Sequence, residues 1–198
     1  GWAPGRQLYF AMQFSRPFQS RDIQNREDGV EYRGFAGPGS NGKDKVKIEG
    51  KAIVASFDFG VPTDQAVMVK VAISAVSEEG AIANLQEMPS WDFAGERHKA
   101  SETWHQALSA VQIEARPEMR TMAYTALYHS MMGPSLFMDI DGQYRGPDNQ
   151  VHQANGYRFH STFSLWDTYR ALHPLLSLIQ PAQRNTDFVK SLVASQQH

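Results

Sequence analysis

The chain has no cysteine, which excludes disulfides, thiolate metal sites and thiol nucleophiles. Net charge is small, −2 for the whole chain, so there is no electrostatic case for a nucleic-acid or an anionic-membrane partner. No apolar run approaches the ~20 residues of a membrane span. Gly1-Trp2-Ala3-Pro4-Gly5-Arg6 lacks the basic and apolar regions of a signal peptide. No Asn-x-Ser/Thr sequon and no internal repeat occur. Apolar residues make up 41% of the 198 residues, enough for a core in one or two domains.

Several chemical motifs fail on inspection. Gly37-Pro38-Gly39-Ser40-Asn41-Gly42-Lys43-Asp44 satisfies Gly-x-Gly-x-x-Gly and nearly a P-loop. Both need a helix to follow, because its N-terminus binds the phosphates. The residues that follow, Val46 to Phe59, read as a strand, and Asp44 stands where a magnesium-binding hydroxyl belongs. A solvated β-loop is the better reading. Asp139-Ile140-Asp141-Gly142 starts like a calcium loop, but Tyr144 and Gln150 occupy the sixth and twelfth positions, where an EF-hand needs Gly and Glu. His152, His160 and His173 make no zinc-site spacing, so no metal ligand is assigned. His129 reads as a hydrogen-bonded core histidine, Trp91 and Trp104 as packing residues. No serine sits in a nucleophile elbow.

Hydrophobic periodicity divides what is present. Gln7 to Phe14 alternates, with Leu8, Phe10, Met12 and Phe14 as the predicted buried face. Ser15 to Val30 is polar and reads as loop. Val46–Phe59 and Ala66–Val76 alternate again, the second with Val67, Val69, Val71, Ile73 and Ala75 inward. The short connection between them predicts an antiparallel pair. At Ser77 the period changes. Ser77 caps a helix that starts with Glu78 and Glu79 and stops before Pro89. Asp92 caps a second, whose stripe is Phe93, Arg97, Ala100, Trp104, Leu108 and Val111. Pro117 opens a third, with Met119, Met122, Ala123, Ala126, Leu127 and Met131 inward, ended by Gly133-Pro134. Residues 135–160 read as one long irregular connection, the kind that often lines a site. A last helix begins near Asn185 and buries Phe188, Leu192 and Val189.

Between these lies Ser161 to Pro174. On one helix, Leu165, Trp166, Tyr169 and Leu172 form an apolar stripe, and Asp167 and Arg170 share a side. Pro174 is expected to kink or split that helix. A Trp beside an Asp, with an Arg one turn on, suits a sugar: indole against the C–H face, carboxylate and guanidinium on the hydroxyls. The alternative is a core Trp with a surface Asp–Arg pair. For Asp141, Tyr144 and Arg145 the alternatives are an active-site loop or an Asx-turn with a structural arginine.

Phe163-Ser164-Leu165-Trp166-Asp167-Thr168-Tyr169-Arg170-Ala171-Leu172-His173-Pro174 resembles a signature of glycoside hydrolase family 92. Ala123-Tyr124-Thr125-Ala126-Leu127-Tyr128-His129-Ser130 and Asp139-Ile140-Asp141-Gly142-Gln143-Tyr144-Arg145-Gly146 resemble it too, in the right order. The resemblance implies an internal piece of a longer, secreted or periplasmic enzyme: a calcium-dependent, inverting exo-α-mannosidase acting on terminal α-linked mannose of N-glycans or mannans. The implied fold is α+β and multidomain. Residues 1–76 would end an antiparallel β-sandwich, 77–116 would be linker helices, and 117–198 would begin an (α/α)6 barrel. The catalytic acid and base, and the main calcium ligands, would lie downstream, so no catalytic residue is assigned in this segment. The partners implied are a mannose-containing glycan and the remainder of the same polypeptide. Asp167 carries over as a residue holding the terminal mannose, with Trp166 as wall and Arg170 as orienter; Asp141 and Arg145 are further substrate-binding candidates. Two other readings stay open: a carbohydrate-binding module without catalysis, and a structural segment without ligand.

Overall fold

In the computed structural model the residues described are 7–25, 52–60, 66–162 and 164–197. The glycine-rich run 34–42, the first half of the strand expected over 46–59, and Phe163 lie outside them. The chain is an α+β protein, and among the described residues its sheets are small and two-stranded. It divides into two compact units, Gln13–Val69, and Gly1–Met12 together with Lys70–His198.

Alternation does build strands at the expected places: β1 spans Tyr9–Phe14, β3 spans Ile53–Asp58 and β4 spans Val69–Ser74. Their partners differ from expectation. β3 pairs antiparallel with β2, Ser20–Asn25, in a stretch that reads as loop, with Asp22 opposite Ser56 and Asn25 opposite Ile53. β4 pairs with β1. Strand β2 carries Arg21, Asp22, Gln24 and Asn25, so its side chains give no apolar alternation to read, while its backbone completes a ladder. Phe14, Phe18, Phe57 and Phe59 cluster in the Gln13–Val69 unit, with ring centroids 4.9 Å apart for Phe14 and Phe57.

The face of β4 is also reversed. Val69, Val71 and Ile73 are exposed, while Lys70 and Ser74 are buried. The reason is that both polar groups are satisfied inside. The Lys70 ammonium donates to the Met88 carbonyl and lies 4.3 Å from the Trp91 ring centroid. Ser74 binds Asp139. A buried charge is tolerable only with such partners. The apolar face expected on β1 is likewise open: Leu8, Phe10 and Met12 are exposed.

The helical signals beyond Ser77 are realised at their starts. The Ser77 hydroxyl accepts from Gly80 N–H to cap α1, Glu78–Asn84, and a 3-10 turn over Leu85–Glu87 ends it before Pro89. Asp92 accepts from Gly95 N–H to cap α2, Phe93–Leu108. Pro117 is the first residue of α3, Pro117–Met131. Only the second half of each expected stripe is packed. Trp104, Leu108 and Val111 join Tyr124, Leu127, Met131, Leu172, Leu175, Leu176 and Ile179 in one cluster. Phe93, Arg97, Ala100, Met119, Met122 and Ala126 are exposed. His129, expected inside, is exposed and touches the ring of Tyr128.

Residues 135–160 contain regular structure and several buried residues rather than an irregular connection. Strands β5, Gln143–Arg145, and β6, Val151–Gln153, form an antiparallel hairpin with Tyr144 opposite His152. Asn149 takes a positive φ of 62° in its loop, a conformation Asn tolerates better than most residues. A bridge joins Leu136 to His160. Tyr144 stacks on Phe159 with centroids 3.7 Å apart, and Ala154 and Ala194 close the cluster. Ala194 lies on α6, Ala182–Gln197, which begins after Pro181, three residues before Asn185. Helix α6 buries Asp187, Phe188, Ser191 and Ala194; Val189 points outward at 57% exposure.

Candidate functional site

The signature stretch is two helices, not one. Helix α4 is the four residues Leu165–Thr168, a turn covers residues 169–171, and α5 runs over Leu172–Ile179. The break falls before Pro174, which sits at the third position of α5. Its missing N–H costs nothing there, because the first-turn amides have no intrahelical acceptor. The break also dissolves the stripe. Leu172 packs in the helical cluster, but Leu165 and Tyr169 are about half exposed and Trp166 is 85% exposed.

The three candidates here are therefore unused by packing. Asp167 and Arg170 are exposed, and among the described residues no hydrogen bond or ion pair joins their side chains. Asp167 is held only through its backbone, whose N–H donates to Ser164 O at 3.2 Å. The turn orients the group: Thr168 Oγ1 donates to Ser164 O, and Tyr169 N–H to Leu165 O. An indole, a carboxylate and a guanidinium are thus presented outward within five residues. On α5, His173 stacks on Phe188, centroids 4.8 Å apart, and its Nε2 is buried without a partner among the described residues. Burial lowers its pKa from the ordinary 6.5. Sequence reasoning set His173 aside, because its environment comes from α6, which lies later in the chain.

Asp141 and Arg145 are placed differently, on the β5–β6 hairpin. The Asp141 carboxylate is exposed and closes an Asx-turn, accepting from Gln143 N–H and Gln143 Nε2, both at 2.9 Å. Arg145 faces backbone carbonyls. Its Nε donates to Ala75 O at 2.6 Å, Nη2 to Val76 O at 2.9 Å and Nη1 to Asn149 O at 2.6 Å. Its planar fork thus ties the hairpin to the segment after β4. It also lines a small cavity of about 90 Å³ with Phe137, Phe159 and Thr162. Tyr144 is buried against Phe159. No hydrogen bond or ion pair brings Asp141 or Arg145 to Trp166, Asp167 or Arg170 among the described residues.

Metal binding has no support in the donor set. Among the described residues no group of three or more His, Asp and Glu side chains could hold an ion. Asp139 and Asp141 each have both oxygens engaged by neutral donors. Oxygen-rich calcium sites need six to eight ligands, so the residues described do not fit one. No described helix is long and apolar enough to cross a membrane.

Trp166 and Asp167 on α4, and Arg170 in the turn after it, are all exposed. Residues 80–198 match the model of the glycosyl hydrolase family 92 catalytic domain, and the chain belongs to that family. All of it aligns with the structure of a family GH92 alpha-mannosidase from Bacteroides thetaiotaomicron, at 31% identity and a TM-score of 0.80, over 26% of that protein's chain. The same mannosidase in complex with mannoimidazole aligns equally well, over 25% of its chain. A second enzyme of that organism, an inverting GH92 mannosidase, aligns with 86% of this chain at 26% identity and a TM-score of 0.62, over 22% of its own length. The chain thus spans about a quarter of the length of these solved relatives. No curated protein compared with it matches.

Proposed function

We propose that the protein containing this chain is an exo-acting α-mannosidase. It would release terminal α-linked mannose from N-glycans or mannans with inversion of the anomeric centre. The observation that carries this reading is the outward presentation of Trp166 beside Asp167, at the signature of the family to which the chain belongs. A tryptophan 85% exposed in this segment forgoes a large burial gain, which a sugar face would restore. The Asp167 carboxylate has no side-chain partner to displace and can accept two hydroxyl hydrogens of one mannose. Arg170 supplies donors for a ring or linkage oxygen. Asp141 and Arg145, engaged in the hairpin, would shape the neighbourhood rather than hold the sugar directly.

Inversion needs a general acid on the leaving oxygen and a general base on a water, with carboxyl groups about 6.5–9.5 Å apart. In this reading both come from the remainder of the polypeptide, as do the ligands of the calcium ion that the family resemblance implies. No step is assigned to that ion. Such an ion would help to bind and distort the sugar when bound. The proposed setting is a secreted or periplasmic enzyme. Residues 1–76 would complete a β-sandwich, 77–116 would link, and 117–198 would begin an (α/α)6 barrel. The exposed apolar faces of β1 and β4, and Met119 and Met122 on α3, suit burial against further elements of the same polypeptide.

The experiment is a time course of an α-mannoside with the full-length protein, followed by proton NMR. The reading expects β-mannose to appear first and to mutarotate later. Initial α-mannose, or binding of the glycan with no release of mannose, overturns it.

A further inference from the structure

Two exposed asparagines flank β6: Asn149 in the hairpin loop before it and Asn155 just after it. Asparagine is a thermolabile residue, because the backbone nitrogen of the next residue can attack its side-chain amide. Exposure is common to the two, so the next residue decides which is at risk. After Asn149 comes Gln150, whose N–H is engaged, donating to Asp148 Oδ1 at 3.0 Å. After Asn155 comes Gly156, with a φ of 73°, a left-handed conformation that glycine adopts at no steric cost. The turn thus calls for the residue that shields its own nitrogen least.

The surroundings leave that nitrogen open. A Cβ built on Gly156 would meet nothing within 4 Å. Among the described residues the Gly156 N–H donates to no acceptor, and the Asn155 side-chain amide makes no hydrogen bond. Asp141-Gly142, on the same hairpin, is the contrast. There the Gly142 N–H donates to Asp139 O at 2.9 Å, and the Asp141 carboxylate is held by Gln143.

We propose that Asn155 is a site of spontaneous deamidation and isomerisation. The deprotonated Gly156 nitrogen bonds to Asn155 Cγ. The bond from Cγ to Nδ2 breaks, Nδ2 takes up protons and leaves as ammonia, and a cyclic imide remains. Water then opens the imide. Cleavage between Cγ and the Gly156 nitrogen gives aspartate. Cleavage between the Asn155 backbone carbonyl and that nitrogen gives isoaspartate, whose main chain runs through the former side chain. Either product adds a negative charge, and isoaspartate also adds a carbon to the backbone. That carbon enters the link 155–158, which is anchored at both ends. Ala154 N–H donates to Gly142 O at 2.9 Å. Phe159 stacks on Tyr144, and its carbonyl accepts from Phe137 N–H at 2.9 Å. The turn is fitted to the spacing of these anchors, so the isoaspartate form holds the hairpin core less well. The reaction needs no ligand and is independent of the mannoside reading.

The test ages the full-length protein at neutral pH, digests it with trypsin and maps the products by tandem mass spectrometry. Cleavage after Arg145 and Arg158 leaves Asn149 and Asn155 in one peptide, so each is the control for the other. The expected result is loss of the Asn155 amide, with isoaspartate among the products, while Asn149 keeps its amide. Asn155→Gln abolishes the change, because the longer side chain would have to close a larger ring. The isoaspartate fraction, separated by ion exchange, melts below the unaged protein. The comparison of the two asparagines on the unaltered protein needs no variant, so it decides the matter even if Asn155→Gln fails to fold. A retained Asn155 amide, or equal loss at Asn149 and Asn155, overturns the site. An unchanged melting temperature of the isoaspartate fraction overturns its effect on the hairpin core.

Discussion

Ser74 and Asp139, separated by 65 residues, meet through a 2.6 Å hydrogen bond from the Ser74 hydroxyl to Asp139 Oδ2, buried on both sides. The other carboxylate oxygen accepts from Asn84 Nδ2 at 2.8 Å, and Asn84 Oδ1 in turn accepts from Ile140 N–H. The Ser74 oxygen also accepts from Val76 N–H and Ser77 N–H. Strand β4, helix α1 and the approach to the β5–β6 hairpin are thus joined by one polar network. Ser74→Ala leaves a buried carboxylate one donor short. It is expected to cost about 1.5–3 kcal/mol, the range for hydrogen bonds to charged groups. The check is the denaturant midpoint of the full-length protein; an unchanged midpoint would show that the network carries no stability.

Gly80 lies against the same network. A Cβ built on it would sit 2.2 Å from Asp139 Oδ2 and 2.8 Å from Ser74 Oγ. Gly80→Ala at an ordinary helical position would stabilise by about 1 kcal/mol. Here the carboxylate is pinned by Ser74 and Asn84 and has no free direction to yield, so the sign reverses. A lower melting temperature for Gly80→Ala is expected; a higher one would mean that the carboxylate moves.

Arg145 and Asp141 separate cleanly by stability. Arg145→Met removes three charge-assisted bonds to carbonyls and is expected to cost about 3 kcal/mol or more. Asp141→Ala opens one exposed Asx-turn, and surface changes of this kind fall within about 1 kcal/mol. Thermal melting of both variants, with KM for an α-mannoside, tests the pair. If Arg145→Met melted normally and only KM rose, Arg145 would be a sugar contact and not a clamp.

Acid should weaken the fold through two histidines. Burial pulls His160 and His173 below their ordinary pKa of 6.5. Below that value the unfolded chain binds protons that the folded chain refuses, so stability rises with pH across the window. Stability is full above about pH 6.5 and is lost as the pH falls through the lower, folded values. Urea midpoints measured at about pH 5, 6 and 7 should climb, and the climb should shrink in His160→Asn with His173→Asn. A pH-independent midpoint would contradict the burial of both rings.

Local signals in the sequence were sufficient where a single side chain settles the backbone. Ser77, Asp92 and Pro117 each mark a helix start through a bond, or the lack of one, within four residues. Signals failed where the deciding partner lies far along the chain. The valines and isoleucine of β4 suggest an apolar inner face, but Lys70 and Ser74 are drawn in by Met88, Trp91 and Asp139. The β5–β6 hairpin lies in a glycine-, aspartate- and asparagine-rich run, and its burial comes from Phe159 and Ala194. The family resemblance read from the signature run is matched over residues 80–198, and the split expected at Pro174 falls a few residues earlier, at 169–171. Helix α6 starts early because Pro181 precedes a first turn that needs no donor from it.

The central claim is that Asp167 holds the terminal mannose. Asp167→Ala in the full-length protein tests it, with kcat/KM on an α-mannoside and melting temperature measured together. Asp167 is exposed and its side chain has no partner among the described residues, so the account predicts an unchanged melting temperature. Two charge-assisted bonds to sugar hydroxyls total roughly 3 kcal/mol or more, so kcat/KM should fall at least about a hundredfold. Asp167→Asn should lose somewhat less, since the amide keeps one acceptor without the charge. Wild-type turnover in Asp167→Ala would remove the carboxylate from the site and contradict the account.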